Sequence, residues 1–230
     1  NGALTITAPA TLFAVGGING TAQAVNVAGD LLSPGAIGLT AQNGLTVSGN
    51  LISNEAVGLS AGTALLIDSS GSIDAASANL TAANLTTRGS VDVSGAVALS
   101  ASNGASIQGR ISAAGPINFT APGRVNLDVT SSGSLISVSL ISLQNVAALS
   151  VSGLVSAATD LSVDFAGTAT ILGRVEAGNN ISLTNNGTGA TSVGGVGVLA
   201  AGNDIVISSG TLSVAFGGLA YAGRDFSFTN

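Results

Sequence analysis

The chain has 230 residues, five basic and eleven acidic side chains, a net charge of −6, and no Lys, His, Cys, Met or Trp. With only 7% charged residues and its five Arg scattered, it lacks the clustered cations that phosphate-backbone binding needs, and the missing Cys exclude a disulfide scaffold. The missing Cys, His and Lys also remove thiolate, imidazole and Schiff-base chemistry. Mean hydropathy is positive, yet Ser, Thr, Asn or Gly interrupt every apolar run, so no stretch approaches the roughly 20 apolar residues of a spanning helix.

In chain order a two-residue apolar pattern returns at a fixed beat. It runs Leu4/Ile6, Val25/Val27, Leu45/Val47, Leu65/Ile67, Leu85/Thr87, Ala105/Ile107, Leu127/Val129, Leu149/Val151, Ala169/Ile171, Thr191/Val193 and Leu212/Val214. The second members are 20 to 22 residues apart. A period in this range marks a solenoid whose turns cannot bury an apolar face alone.

Residues 105–124 are the clearest turn. Ala105, Ile107, Ile111, Ala113, Ile117, Phe119 and Ala121 alternate with Ser106, Gln108, Ser112, Asn118 and Thr120. Such alternation is the mark of strands with one buried face. It breaks at Gly109, Gly115-Pro116 and Pro122-Gly123, residues that bend chains. The sequence therefore predicts a right-handed parallel β-helix, the hand following from the crossover rule. It has about eleven coils of 20–22 residues with three short strands each, in one domain over 1–230. At about 4.8 Å per coil the rod is about 50 Å long.

Stacking assigns columns. One inward column is expected to hold Val47, Ile67, Ile107, Val129, Val151, Ile171, Val193 and Val214. A second is expected to hold Leu39, Leu59, Leu99, Phe119, Ile141, Val163, Leu183, Ile207 and Phe228. Beside it, Thr40, Ser60, Ser100, Thr120, Thr184, Ser208 and Thr229 form an outward hydroxyl column. Gly29, Gly49, Gly89, Gly109, Gly153 and Gly173 recur at the first bend, where positive φ or close backbone approach is expected. Insertions fall at bends, at Ser131-Ser132 and over 185–195.

The run Gly109-Arg110-Ile111-Ser112-Ala113-Ala114-Gly115-Pro116-Ile117-Asn118-Phe119-Thr120-Ala121 has a close second copy in Gly173-Arg174-Val175-Glu176-Ala177-Gly178-Asn179-Asn180-Ile181-Ser182-Leu183-Thr184. This repeat resembles the filamentous haemagglutinin arrays of bacterial two-partner-secretion exoproteins, large adhesins and contact-dependent inhibition proteins among them. The resemblance implies an extracellular, surface-exposed fibre that holds an adhesive or toxic tip away from the cell. It implies a non-catalytic shaft without cofactor or metal. The Asn-Pro-Asn motifs of that family's secretion domain and an Arg-Gly-Asp tripeptide are absent, since Arg88-Gly89 continues to Ser90.

Joining 226–230 to 1–6 reproduces the internal rhythm. The expected partners are therefore flanking repeats of the same array, or identical subunits stacked end to end, and possible receptors engage regions outside these residues. Neither nucleic acid nor membrane insertion is expected.

Pectin-lyase-type chemistry on this fold needs a carboxylate cluster with a basic residue. Asp68, Asp74 and Asp92 fit one surface and Asp160 with Asp164 forms a local pair, but isolated solvated acids are favoured. Gly16-Gly17, Gly194-Gly195 and Gly217-Gly218 lack the Asp series of a Ca²⁺-binding nonapeptide. Thr5-x-Thr7 and Thr168-x-Thr170 are too isolated for an ice-binding array. Six Asn-x-Ser/Thr sequons (Asn19, Asn79, Asn84, Asn118, Asn180, Asn186) are close to the number such a composition yields by chance. A carbohydrate-binding module stays open as an alternative. Its rows of exposed rings are not expected, because Tyr221 is the single Tyr and most Phe fall on inward columns.

Overall fold

The structure is a computed structural model, described here over residues 2–230. Alternating apolar and small polar residues make every regular element a strand, and every strand pairing is parallel. Eleven coils stack into a β-solenoid, numbered 1 to 11 by Ile6, Val27, Val47, Ile67, Thr87, Ile107, Val129, Val151, Ile171, Val193 and Val214. Each of these residues faces the next in the ladder.

Each coil gives one strand to an 11-stranded sheet and the rest of its extended chain to a 17-stranded sheet. Coil 6, for example, runs from Arg110–Ala113 in the smaller sheet into Ile117–Val129 in the larger, which ends on the anchor of coil 7. Five times the chain passes from one coil into the next in a single unbroken strand: Ala56–Ile67, Ser77–Thr87, Val97–Ile107, Ile117–Val129 and Ile141–Val151. The expected third bend survives there only as a register irregularity, as between Thr120 and Val125 around Pro122-Gly123. An extra residue bends a paired strand without ending its ladder.

The first inward column is buried from Val47 to Val193, and the second buries Leu39, Leu59, Leu99, Phe119, Leu183 and Ile207. Burial of each Leu, Ile or Phe contributes roughly 1.5–3 kcal/mol. Two expected core residues do not fit: Val214 is 46% and Phe228 40% exposed. Both stand in the inward columns, facing Val193 and Ile207, but they belong to the last coil and nothing stacks beyond them. A third correction concerns Ile141, which faces Ile117 and Leu161, while Leu143 continues the column of Phe119 and Val163. The two-residue insertion upstream moved the register by two, and side-chain direction repeats every two residues, so the pattern of apolar positions does not reveal the slip. Leu80, between Leu59 and Leu99, completes the same column.

At the first bend the glycines serve close approach. A Cβ on Gly109 would lie 2.0 Å from the carbonyl oxygen of Gly89, and one on Gly49 would lie 2.0 Å from that of Gly29. Gly29, Gly89, Gly153 and Gly173 meet the same obstacle, and Gly71 and Gly133 fill gaps in the predicted series. Positive φ occurs instead at Gly195 and Gly217, and at Asn145.

At the second bend, buried Ser53 and Ser137 donate to the carbonyls of Gly35 (2.9 Å) and Gly115 (2.8 Å). Their oxygens accept from the backbone N–H two residues on, in Glu55 and Ser139. Polar groups turned into the core are thereby paired, as burial requires.

Candidate functional site

Outward residues divide by sheet. On the smaller sheet one outward column reads Phe13, Leu32, Ile52, Asp74, Asp92, Ser112, Ile136, Ser156, Glu176, Ala200 and Tyr221. Several acids here and at the bends are met by Arg or Asn, from an adjacent coil or from the same strand. Arg88 approaches Asp68 at 3.8 Å and donates to Gln108 at 3.3 Å. Arg110 lies 3.6 Å from Asp92, and Arg174 pairs with Glu176. Asn50 donates to Asp30 at 2.7 Å and accepts from Ser72 at 2.7 Å, while Asn180 donates to Asp160 at 2.8 Å.

Asp204 receives the guanidinium of Arg224. The hydrogen bond from that guanidinium holds the Asp204 carboxyl below the usual carboxylate range, and the same bond raises Arg224. These exposed pairs fix side chains in place while adding little net stability.

Of the expected acidic groupings, Asp74 and Asp92 are brought onto adjacent rungs, whereas Asp68 lies in a bend and turns to Arg88. Asp160 and Asp164 separate: Asp160 engages Asn180 at a bend, and Asp164 stands on the larger sheet and accepts from Asn186. Among the described residues no three His, Cys, Asp or Glu side chains converge as a metal site.

All six sequon asparagines are exposed, and Asn19, Asn79 and Asn118 share one outward column of the larger sheet. Four of the six Phe stand on inward columns, as expected, and two do not. Phe119 and Phe165 are fully buried, but Phe13 is 63% exposed beside Leu32 and Ile52, and Phe216 projects wholly into solvent. Phe226 and Phe228 stand on inward columns that the last coil leaves open. Tyr221 overhangs a shallow groove floored by Ala200, Gly178 and Gly202.

A feature of the first bend was only partly foreseen. In most coils this bend is two residues long, as in Ala28-Gly29. In coils 1, 4, 7, 10 and 11 it is a four-residue β-turn: Thr7 to Ala10, Asp68 to Gly71, Thr130 to Gly133, Gly194 to Gly197 and Ala215 to Gly218. Each is closed by a hydrogen bond from its last N–H to its first carbonyl, at 2.8 Å in the first four and 2.9 Å in the fifth. Only Ser131-Ser132 and the end of the 185–195 stretch stood out beforehand. Coil 4 hides its two extra residues, because the segments Ile73 to Ala78 and Ala78 to Leu85 are each one residue shorter than their counterparts in coil 5, leaving the step at 20. The recurrent Gly closing the turn was the available signal.

Fold and surface together define a β-solenoid rod on which several exposed acids pair with Arg or Asn. Compared with known proteins, the chain matches no family model, no curated protein and no solved structure.

Proposed function

We propose that this chain is the non-catalytic structural shaft of a secreted bacterial surface fibre or adhesin, projecting a functional tip from the cell. The observation that carries this reading is the unbroken axial ladder. Each of the ten steps between the eleven coils is bridged by backbone hydrogen bonds and stacked inward columns, so a load along the axis is shared by many parallel bonds at every rung. The local compensation of acids by Arg and Asn supports a chemically inert surface. The filamentous haemagglutinin-like repeat theme supports two-partner secretion and an extracellular location.

A further coil in the same register, in the same array or in a second copy end to end, is the partner this reading supplies for the apolar faces of coils 1 and 11. Leu12, Val214 and Phe226, inward residues at 45%, 46% and 43% exposure, favour it. The test applies the isolated chain to glycan arrays and to host-cell surfaces. The shaft reading expects no saturable binding. Saturable glycan binding lost on Tyr221→Ala would replace it with the carbohydrate-module reading, for which the Tyr221 groove is the specific observation.

A further inference from the structure

Four Asn-Gly pairs lie among the described residues: Asn19-Gly20, Asn43-Gly44, Asn103-Gly104 and Asn186-Gly187. Asparagine before glycine is the pair most open to ring closure, because no Cβ shields the glycine nitrogen from the asparagine side chain. That nitrogen attacks the side-chain Cγ, a C–N bond forms and ammonia leaves, giving a succinimide. Water then opens the ring at either of its two carbonyls and yields aspartate or isoaspartate. Nothing is oxidised or reduced, and water is the only co-reactant. All four Asn are exposed. What separates them is how firmly the fold holds the attacking nitrogen and the carboxamide it must reach.

Two of the four are held. Asn19 and Gly20 lie inside the strand Ile18–Ala22, whose five residues pair one for one with residues 37–41. Ring closure there pulls apart the middle of a ladder. In the Asn186-Gly187 bend the Gly187 N–H donates to the Asn185 Oδ1 at 2.6 Å, and the Asn186 carboxamide donates to Asp164. Both reacting groups are occupied.

The other two share one position of the coil. Asn43 and Asn103 each stand at the third bend, four residues before an anchor, Val47 and Ile107. Residues 42–44 fall between the ladder pairs of Ala41 with Ala61 and Leu45 with Leu65. Ser102 and Asn103 fall in the irregularity between Ala101 and Gly104, opposite the single residue Ala83. Among the described residues neither carboxamide is hydrogen-bonded, and the Gly44 N–H meets no acceptor. Asn43 keeps one backbone bond to each neighbouring coil, its N–H donating to the Gln23 carbonyl at 2.8 Å and its carbonyl accepting from the Thr63 N–H at 3.0 Å. Ring closure releases only the second.

From this contrast we infer that Asn43 and Asn103 are self-modification sites, where the folded rod converts asparagine to aspartate and isoaspartate without an enzyme. Each conversion adds one negative charge to the net −6. At Asn103 the new carboxylate gains a counter-charge. Arg124 stands in the same bend of the next coil, between Thr120 and Asn126, which pair with Ser100 and Gly104. The other four Arg each meet a carboxylate, and among the described residues Arg124 meets none. Isoaspartate lengthens the backbone by one atom, and the irregularity at Asn103 already absorbs a whole extra residue. The ladder therefore survives the change. The inference is independent of the shaft reading, since it needs only the coils.

For the test the intact chain is held at mildly alkaline pH and physiological temperature, both folded and in concentrated urea. It is then cut with an acid protease, and mass spectrometry reads the exchange of ammonia for water at each Asn. In urea the four pairs are expected to convert at similar rates. In the folded chain Asn43 and Asn103 are expected to convert at least about tenfold faster than Asn19 and Asn186, the factor that keeping one further hydrogen bond supplies. Gly44→Ala and Gly104→Ala put a Cβ only in ordinary contact, 3.7 Å from the carbonyl oxygens of Ala64 and Asn126. Both variants are expected to keep the β-sheet circular dichroism, to suppress conversion at the preceding Asn and to leave the other site unchanged. Equal rates at the four sites of the folded chain, faster conversion at Asn19 or Asn186, no conversion at Asn43 and Asn103, or no effect of either alanine would each overturn the assignment.

Discussion

The Cβ position of Gly109 lies 2.0 Å from the carbonyl oxygen of Gly89, one coil below. The obstacle is backbone that itself pairs with the next coil, so it has no rotamer in which to retreat. Gly109→Ala is therefore expected to destabilise the rod by about 3 kcal/mol, at the upper end of overpacking costs. Gly58 supplies the contrast, since a Cβ there meets nothing within 4 Å. Gly58→Ala is expected to change stability by less than about 1 kcal/mol, in the stabilising direction, by restricting the unfolded chain. Urea unfolding of the two variants side by side checks the pair.

Thr87 occupies the inward column between Ile67 and Ile107, fully buried, and its hydroxyl finds no hydrogen-bond partner. A buried orphan hydroxyl costs about 1–3 kcal/mol. Thr87→Val keeps the branched shape, removes that cost and is expected to raise the melting temperature. Thr191, orphaned in the same way, should respond to Thr191→Val with the same sign. A drop in melting temperature for both would show that the hydroxyls have partners.

Ile117 is fully buried, facing Val97 and Ile141 in adjacent coils. Ile117→Asp places a carboxylate against an apolar column with no counter-charge, and is expected to disrupt the ladder around coil 6. Ile117→Val, which only shortens the side chain, should cost about 0.5–1.5 kcal/mol. Hydrogen exchange along coils 5 to 7 separates local opening from global unfolding, and unchanged protection in the Asp variant would refute the inward placement.

The Asp204 carboxyl titrates below its ordinary value because Arg224 hydrogen-bonds to it. The folded pKa is depressed, so the stabilisation it brings is present above the unfolded pKa. It is lost as pH falls through the folded one, in the acid range below the ordinary 3.8. Arg224→Gln is expected to move the Asp204 midpoint up toward that ordinary value, read by carboxyl carbon NMR, and to weaken the acid dependence of the last coils. An unmoved midpoint would show that the pair does not persist in solution.

Much of this architecture was legible from the chain alone, and for a definite reason. In a parallel β-solenoid the contacts that matter join residues one period apart, so every inward column is written as a repeat. The column from Val47 to Val193 and the bend glycines Gly29 to Gly173 needed nothing beyond that beat. Where the beat is disturbed by an even number of residues, the alternation survives and the sequence is silent: Ile141 and Leu143 exchange columns, and the turn at Ser69-Ser70 vanishes into a coil of ordinary length. Only stacking in three dimensions decides which bends lengthen on every third coil, which acid meets which Arg, and that Phe13 faces outward. It also leaves Val214 and Phe228 uncovered, because burial belongs to a pair of coils and not to a residue's place in the pattern.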